Sequence, residues 1–195
     1  MRAITYDAYG GPDVLGLNEI EVPSPGDDEV LIKVRAASLN PYDWHFMRGK
    51  PYFMRAQAGL RRPKVSRFGA DVAGTVETAG GNVTDLRPGD EVFGQATGAL
   101  AEYVVAKPKG LAAKPDGVSF EQAATLNIAG LTALQGLRDK GNLQAGQQVL
   151  INGASGGVGT FAVQIAAHLG AEVTGVCSTR NLDLVRSLGA AHVVD

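Results

Sequence analysis

The sequence predicts an α/β plus β chain in two parts: a β-rich barrel or sandwich over residues 1–118 and a β-α-β-α-β unit over residues 119–195. Three observations carry this expectation. Residues 1–106 are built from short apolar segments separated by Gly, Pro and Asp. Residues 119–139 are rich in Ala, Leu and Gln, as a helical region is. A glycine cluster at 153–159 stands between an apolar, strand-like segment and an amphipathic helical pattern.

In chain order, the first candidate strands are Ala3–Tyr6, Glu29–Ala36, Gly69–Glu77, Glu91–Gly94 and Leu100–Val105. Turn signals such as Pro25-Gly26-Asp27 and Arg87-Pro88-Gly89-Asp90 bound them. Lys107-Pro108-Lys109-Gly110 through Pro115-Asp116-Gly117 reads as a connection between domains. Ser119 and Gln122 then have capping-box spacing, and the helical pattern after them is interrupted near Ile128-Ala129-Gly130. Asn142–Gly146 turns the chain into the strand Gln148-Val149-Leu150-Ile151. Beyond the glycines, Val158, Phe161, Ala162, Ile165, Ala166 and Leu169 share one helix face. A second strand follows at Glu172–Cys177. Leu182, Val185 and Leu188 mark a short helix closed by Gly189, and His192–Val194 reads as a third strand.

Strand, glycine turn and helix are in the order that a dinucleotide-binding Rossmann unit requires. A pyrophosphate needs backbone N–H donors and the positive end of a helix, with no side chains holding it away. Ala154, Ser155, Gly156, Gly157, Val158 and Gly159 are therefore the expected cradle. The strict G-x-G-x-x-G string is absent, because Ala154 stands at its first glycine and an extra glycine lies at 153.

Composition narrows the functional classes. The 195 residues are 45% hydrophobic and carry a net charge of −2, so no global field argues for nucleic acid or membrane partners. A single cysteine, Cys177, leaves no disulfide framework and no multi-cysteine metal site. The start of the chain has no apolar leader pattern and no run approaches a membrane span, so the expected location is cytoplasmic.

Four stretches, Ser38-Leu39-Asn40-Pro41-Tyr42-Asp43, Gly69-Ala70-Asp71-Val72-Ala73-Gly74, Pro88-Gly89-Asp90-Glu91-Val92 and Asn152-Gly153-Ala154-Ser155-Gly156-Gly157-Val158-Gly159, occur in this order. With them the chain resembles the amino-terminal part of a medium-chain dehydrogenase/reductase of the zinc-independent quinone oxidoreductase-like branch. The resemblance implies a GroES-like β-barrel domain followed by the first half of a Rossmann domain. It implies hydride transfer from NADPH to a quinone or an α,β-unsaturated carbonyl, a small-molecule substrate, and a homodimer in the full-length form. Zinc-dependent relatives place a Cys where this chain has Asn40 and a His where it has Ala70. No bound zinc is expected, since carboxamide and methyl groups do not replace thiolate and imidazole. His45, His168 and His192 are scattered without ligand spacing.

The cofactor can be argued from the residues after the second strand. An NAD-specific unit carries an acidic residue there for the ribose. This chain has Cys177-Ser178-Thr179-Arg180-Asn181. Ser178 can hydrogen-bond a 2′-phosphate and Arg180 can meet it with charge, which favours NADP(H). The competing reading makes Arg180 a solvated residue and Ser178 or Thr179 a helix cap.

For catalysis the resemblance points to Asn40, near the nicotinamide, as an amide donor, and to Thr132, facing the nicotinamide ribose or carboxamide. Their structural alternatives are a turn residue before Pro41 and a hydroxyl bonded to its own helix. Tyr52 is a candidate proton donor by similarity to enoyl-thioester reductases, offset by one residue from their pattern. Asp43 is expected to cap a short helical turn at 44–47. Between Trp44 and Ala70 there is no acidic residue, while Arg48, Lys50, Arg55, Arg61, Arg62, Lys64 and Arg67 alternate with aromatics. Single-stranded nucleic acid or an anionic or quinonoid substrate would suit such a loop, but a solvated insertion covering the barrel is preferred.

Only one βαβαβ half is encoded where a complete nicotinamide site needs two. The expectation is that this chain binds NADPH but turns it over poorly, with an unpaired strand edge inviting association. Enoyl-thioester reduction and a non-catalytic nucleotide-binding or interaction module are the alternative functions.

Overall fold

The structure, a computed structural model, describes residues 1–195. It consists of two compact units, Met1–Asn127 and Ile128–Asp195.

The first unit begins with strand β1 (Arg2–Thr5), which pairs antiparallel with β2 (Gly16–Glu19). Next come β3 (Val30–Ser38), helix α1 (Pro41–Arg48), the single turn α2 (Arg55–Ala58) and β4 (Asp71–Ala79). β5 (Glu91–Gln95), β6 (Tyr103–Ala106), β7 (Leu111–Ala113) and the short helix α3 (Phe120–Ala124) complete it. Five strands form an antiparallel sheet in the order β6-β3-β4-β5-β7. Val30 and Ile32 from β3, Val72 and Val76 from β4, Val92 from β5 and Val104 from β6 form its buried core. Their period of two along each strand places them on one face of the pleat. Gly74 lets β3 and β4 approach: a Cβ there would lie 2.3 Å from the Lys33 carbonyl oxygen.

Three differences from the sequence reading have local causes. β2 carries Leu17 at 65% exposure and no alternating apolar face, so it has no pattern to find. The presumed connection 107–117 contains β7, whose three residues pair with β5 but are too few to show a period. The units divide after Asn127 instead of 118, because Ala123 and Ala124 of α3 are buried with Ala73 of β4. Ser119 caps α3 as its spacing suggests: its Oγ accepts the Gln122 N–H at 3.2 Å, and Gln122 Oε1 accepts the Ser119 N–H at 3.0 Å.

Around Ile128-Ala129-Gly130 the chain changes pitch without breaking. Leu126–Gly130 is π-helical, α4 (Leu131–Leu134) is α-helical, and Gln135–Lys140 is π-helical again. The second unit then runs β8 (Gln148–Asn152), α5 (Gly157–His168), β9 (Glu172–Val176), α6 (Leu182–Ser187) and β10 (His192–Val194). The three strands are parallel in the order β10-β9-β8, so the expected βαβαβ unit forms. Ile151, Ala162, Val163, Ala166, Val173 and Val185 are its core. The small residues Ala162 and Ala166 let α5 pack closely on the sheet. β8 is an edge strand, and Leu150 on it is 66% exposed.

Candidate functional site

In the second unit, β8 leads through Gly153 into α5. Gly153 has φ +71°, a left-handed conformation that glycine adopts without penalty. Gly156 is the N-cap of α5. The N–H groups of Gly157, Val158 and Gly159 therefore lie in the first turn, where no intrahelical carbonyl reaches them. Gly159 is fixed by close packing: a Cβ there would sit 2.1 Å from the Gly153 carbonyl oxygen and 2.8 Å from Ala154 Cα. At Gly157 an added Cβ meets nothing within 4 Å. The turn thus presents bare backbone donors at a helix N-terminus, the chemistry that holds a pyrophosphate.

Two expected members of the cradle serve the fold instead. Ala154 is fully buried and gives its N–H to the Val176 carbonyl at 2.9 Å, extending the β8–β9 contact. The Gly156 N–H is taken by the Gly153 carbonyl at 2.9 Å. Ala154 stands at the position of the first motif glycine because its methyl fills the core beside Gly175, where a Cβ would lie 3.1 Å from it.

Ser178, Thr179 and Arg180 follow β9 and are exposed. The capping alternative is not what the hydroxyls do. Ser178 makes no side-chain cap bond, and the Thr179 hydroxyl bonds the Asp195 carboxylate. Arg180 forms no ion pair with the chain's own carboxylates, which leaves its guanidinium free for an anion. Asn181, to which the sequence assigned no role, donates from Nδ2 to Ser155 Oγ at 3.0 Å and to Ser178 Oγ at 3.2 Å.

In the first unit, the carboxylate of Asp71 is fully buried. It accepts Asn40 Nδ2 at 2.9 Å and the Ser38 hydroxyl at 3.3 Å on one oxygen, and Asn127 Nδ2 at 3.0 Å on the other. Asn40 Nδ2 also reaches Ser38 Oγ at 3.3 Å. Because a carboxylate only accepts, Asp71 draws the nitrogen side of the Asn40 carboxamide toward itself, while the same side chain closes a capping box with Asp43 at the start of α1. Asn40 was expected to offer an amide N–H; the structure commits those hydrogens internally. Asp71 appeared in the sequence only as part of a motif. The signal that singles it out is an acid within the apolar run 69–74, which must find partners when buried.

Asp43 is also buried, at 4% exposure, and accepts the Asn40 backbone N–H at 2.8 Å. It sits in the first turn of α1, which is longer than the expected turn at 44–47 and starts at Pro41. Burial pushes its carboxyl above the ordinary 3.8, the Asn40 N–H opposes this, and the Asp71 charge adds to the rise. Burial likewise raises the phenols of Tyr42 and Tyr6 above 10.0, with the Asp43 charge contributing to both. These three residues line a cavity of about 250 Å³ together with Phe46, Phe68, Ala70, Lys64 and Arg67. Lys64 and Arg67 have no ion-pair partner.

Tyr52 is not on that cavity's wall. It lies on a short 3-10 turn, 67% exposed, with Lys50 Nζ 5.7 Å and Arg55 Cζ 5.0 Å from its ring centre. Arg55 also stacks on Tyr9 at 4.3 Å and Arg48 on Trp44 at 4.8 Å. The chain's own cations therefore sit over Tyr9, Tyr52 and Trp44, while Phe53 is 78% exposed. Thr132 donates its hydroxyl to the Ile128 carbonyl at 2.6 Å, which leaves its oxygen only as an acceptor.

No three His, Cys, Asp or Glu side chains come together as a metal-binding group. His45 Nδ1 is 2.8 Å from the Lys50 carbonyl oxygen and His192 is 2.9 Å from Glu172, while His168 ends α5. No helix is long and apolar enough to cross a membrane.

Residues 26–116 match the family model described as the alcohol dehydrogenase GroES-like domain, and residues 157–195 match that described as zinc-binding dehydrogenase. Among curated proteins, the chain is 43% identical over 210 residues to a chloroplastic quinone-oxidoreductase homolog of Spinacia oleracea, covering 100% of this chain and 61% of the relative. It is 42% identical over 208 residues to a chloroplastic NADPH-dependent alkenal/one oxidoreductase of Arabidopsis thaliana, covering 100% of this chain and 52% of that protein. Their names do not support the cytoplasmic location expected from the sequence. Among solved structures, the quinone oxidoreductase from Coxiella burnetii superposes with a TM-score of 0.92 at 36% identity, over 100% of this chain and 62% of that one. The CurK enoyl reductase superposes with a TM-score of 0.91 at 33% identity, over 98% and 58%. The chain thus spans roughly half to three-fifths of the length of the proteins it matches.

Proposed function

Because the chain belongs to the quinone oxidoreductase-like branch of the medium-chain dehydrogenase/reductase superfamily, we propose that it serves NADPH-dependent reduction of a quinone or an α,β-unsaturated carbonyl, without zinc. The observation that carries this reading is the β8–α5 turn, where a Cβ at Gly159 would strike backbone and the first-turn N–H groups stay available. These N–H groups hold the pyrophosphate. Ser178 and Arg180 meet the 2′-phosphate, and the absence of an acid at 177–181 removes the ribose partner that NAD would use. NADPH, when bound, supplies the hydride.

The chain's own residues must position the acceptor and stabilise its oxygen. The first unit's cavity offers Phe46 and Phe68 as an apolar wall for a ring or enone, and the Tyr6 and Tyr42 hydroxyls as donors. Both phenols, like any tyrosine, are protonated at neutral pH, as a donor to a developing oxyanion must be, and burial moves them further in that direction. Tyr42 replaces Tyr52 in this assignment. Thr132 acts as an acceptor through its hydroxyl oxygen. At the positions where zinc-dependent relatives carry Cys and His, this chain has a carboxamide engaged by Asp71 and a buried methyl at Ala70, a donor set that does not fit Zn²⁺.

Enoyl-thioester reduction is a second reading, favoured by Lys64 and Arg67 on the cavity wall, which suit a substrate carrying a distant anionic group. NADPH binding and the reduction of quinones, enones and enoyl thioesters by this chain test the proposal. Binding with measurable reduction of one class supports it and selects the substrate. Binding without turnover leaves the cofactor half of the proposal supported and the acceptor unassigned. No NADPH binding refutes the proposal.

A further inference from the structure

Asn181 links the pyrophosphate turn to the segment after β9. Its Nδ2 carries two hydrogens, one directed at Ser155 Oγ at 3.0 Å and the other at Ser178 Oγ at 3.2 Å. Both serines therefore accept from the asparagine. A hydroxyl whose oxygen is occupied as an acceptor still has its own proton to give. Ser155 lies within the turn and Ser178 is exposed after β9, two points 23 residues apart in sequence that one partly buried carboxamide holds together.

We propose that Asn181 is a positioning residue that fixes the polarity of these two hydroxyls, so that Ser155 and Ser178 both donate to phosphate oxygens of a 2′-phosphorylated dinucleotide. The inference rests on the NADPH reading given above. A phosphate oxygen accepts and does not donate, so a serine already held as an acceptor toward Asn181 meets it without reorienting. Were the carboxamide reversed, its oxygen would draw both hydroxyl protons away and present lone pairs to the phosphates. Asn181 also occupies the N-cap position of α6, with no side-chain cap bond, so its carboxamide is free for this linking role.

The test measures NADPH and NADH dissociation constants and thermal midpoints for the 195-residue chain and for N181A, N181D, S178A and S178A/N181A. N181A is expected to weaken NADPH by about fivefold to tenfold, the scale of a reorganised hydrogen bond to a charged group, and NADH less, so that the preference narrows. N181D, which is isosteric but accepts where asparagine donates and places a negative charge beside the phosphates, is expected to weaken NADPH further with little change in the midpoint, since no cap bond is lost. Once Ser178 is absent, the N181A effect on the NADPH-to-NADH ratio is expected to disappear. An unchanged ratio in N181A and N181D, or full additivity in the double variant, overturns the assignment even though wild type binds NADPH. If N181A is too unstable to measure, N181D and S178A carry the comparison. Wild-type protein that binds no NADPH overturns the functional reading instead.

Discussion

Replacing Gly159 with alanine puts one methyl group where the structure has backbone. The Cβ would lie 2.1 Å from the Gly153 oxygen, 2.8 Å from Ala154 Cα and 2.9 Å from the Ala154 carbonyl carbon. None of these atoms can move as a side chain would, so α5 must shift from β8 or the turn must open. Overpacking of this kind costs about 1–3 kcal/mol, and rigid backbone neighbours place G159A at about 3. Alanine returns about 1 kcal/mol of helix propensity, so the net loss is about 2 kcal/mol. G157A is the control: its Cβ meets nothing within 4 Å, and the same propensity gain makes it neutral or stabilising by up to ~1 kcal/mol. Denaturant unfolding of the three proteins, followed by a signal from the second unit, is therefore expected to separate the two variants by about 2–3 kcal/mol. NADPH binding should weaken in G159A as the first-turn N–H groups are displaced. If G159A unfolds with the wild-type midpoint and binds NADPH as well, the close-packed cradle described for this turn is wrong.

Three further outcomes follow from other parts of the molecule. D71A leaves the carboxamide hydrogens of Asn40 and Asn127 without their acceptor and is expected to lower the stability of the first unit by about 1–3 kcal/mol; an unchanged urea midpoint would refute the buried network. Asp43 has a folded-state value above its ordinary 3.8, so the folded chain holds that proton more tightly than the unfolded one. Its contribution to stability is full below 3.8 and is lost as pH rises through the folded value. D43N cannot ionise yet keeps a carbonyl oxygen for the Asn40 N–H, so its stability relative to wild type should rise as pH increases above the ordinary 3.8, and parallel profiles would count against the burial effect. R180A removes an exposed cation with no ion-pair partner and is expected to weaken NADPH by roughly fivefold while leaving NADH unchanged, and equal losses for both would argue against a 2′-phosphate contact.

The βαβαβ unit was legible because its information is local. Strand, glycines and helix are contiguous in sequence, and Phe161, Ala162, Ile165 and Ala166 of the apolar period 158–169 do pack into the core, although Val158 is exposed and Val163, outside that pattern, is fully buried. The barrel strands were legible where both alternation and turns were present, as in β3 and β4. They were missed where neither was, as in β2 and β7. Of the candidate site residues, Gly159, Ser178 and Arg180 could be named from position alone. Ala154 could not be separated from the cradle, because a motif string does not reveal that its N–H continues a strand contact to Val176. Tyr42 and Tyr52 are similar as letters in the sequence; only burial distinguishes the phenol on the cavity wall from the one at 67% exposure.

By itself, the sequence determined the order of elements, the place of the dinucleotide turn, the absence of an acid after β9 and the chain's resemblance to the quinone oxidoreductase-like branch. These depend on neighbours within a few residues, where backbone geometry and side-chain period act directly. The tertiary structure decided the direction of each hydrogen bond. Asp71 turns the Asn40 carboxamide across 31 residues of sequence, and Asn181 reaches Ser155 across 26. A carboxamide carries both a donor end and an acceptor end, and which end faces a ligand is fixed by the partner that holds the other. That partner is brought into place only when distant segments pack together.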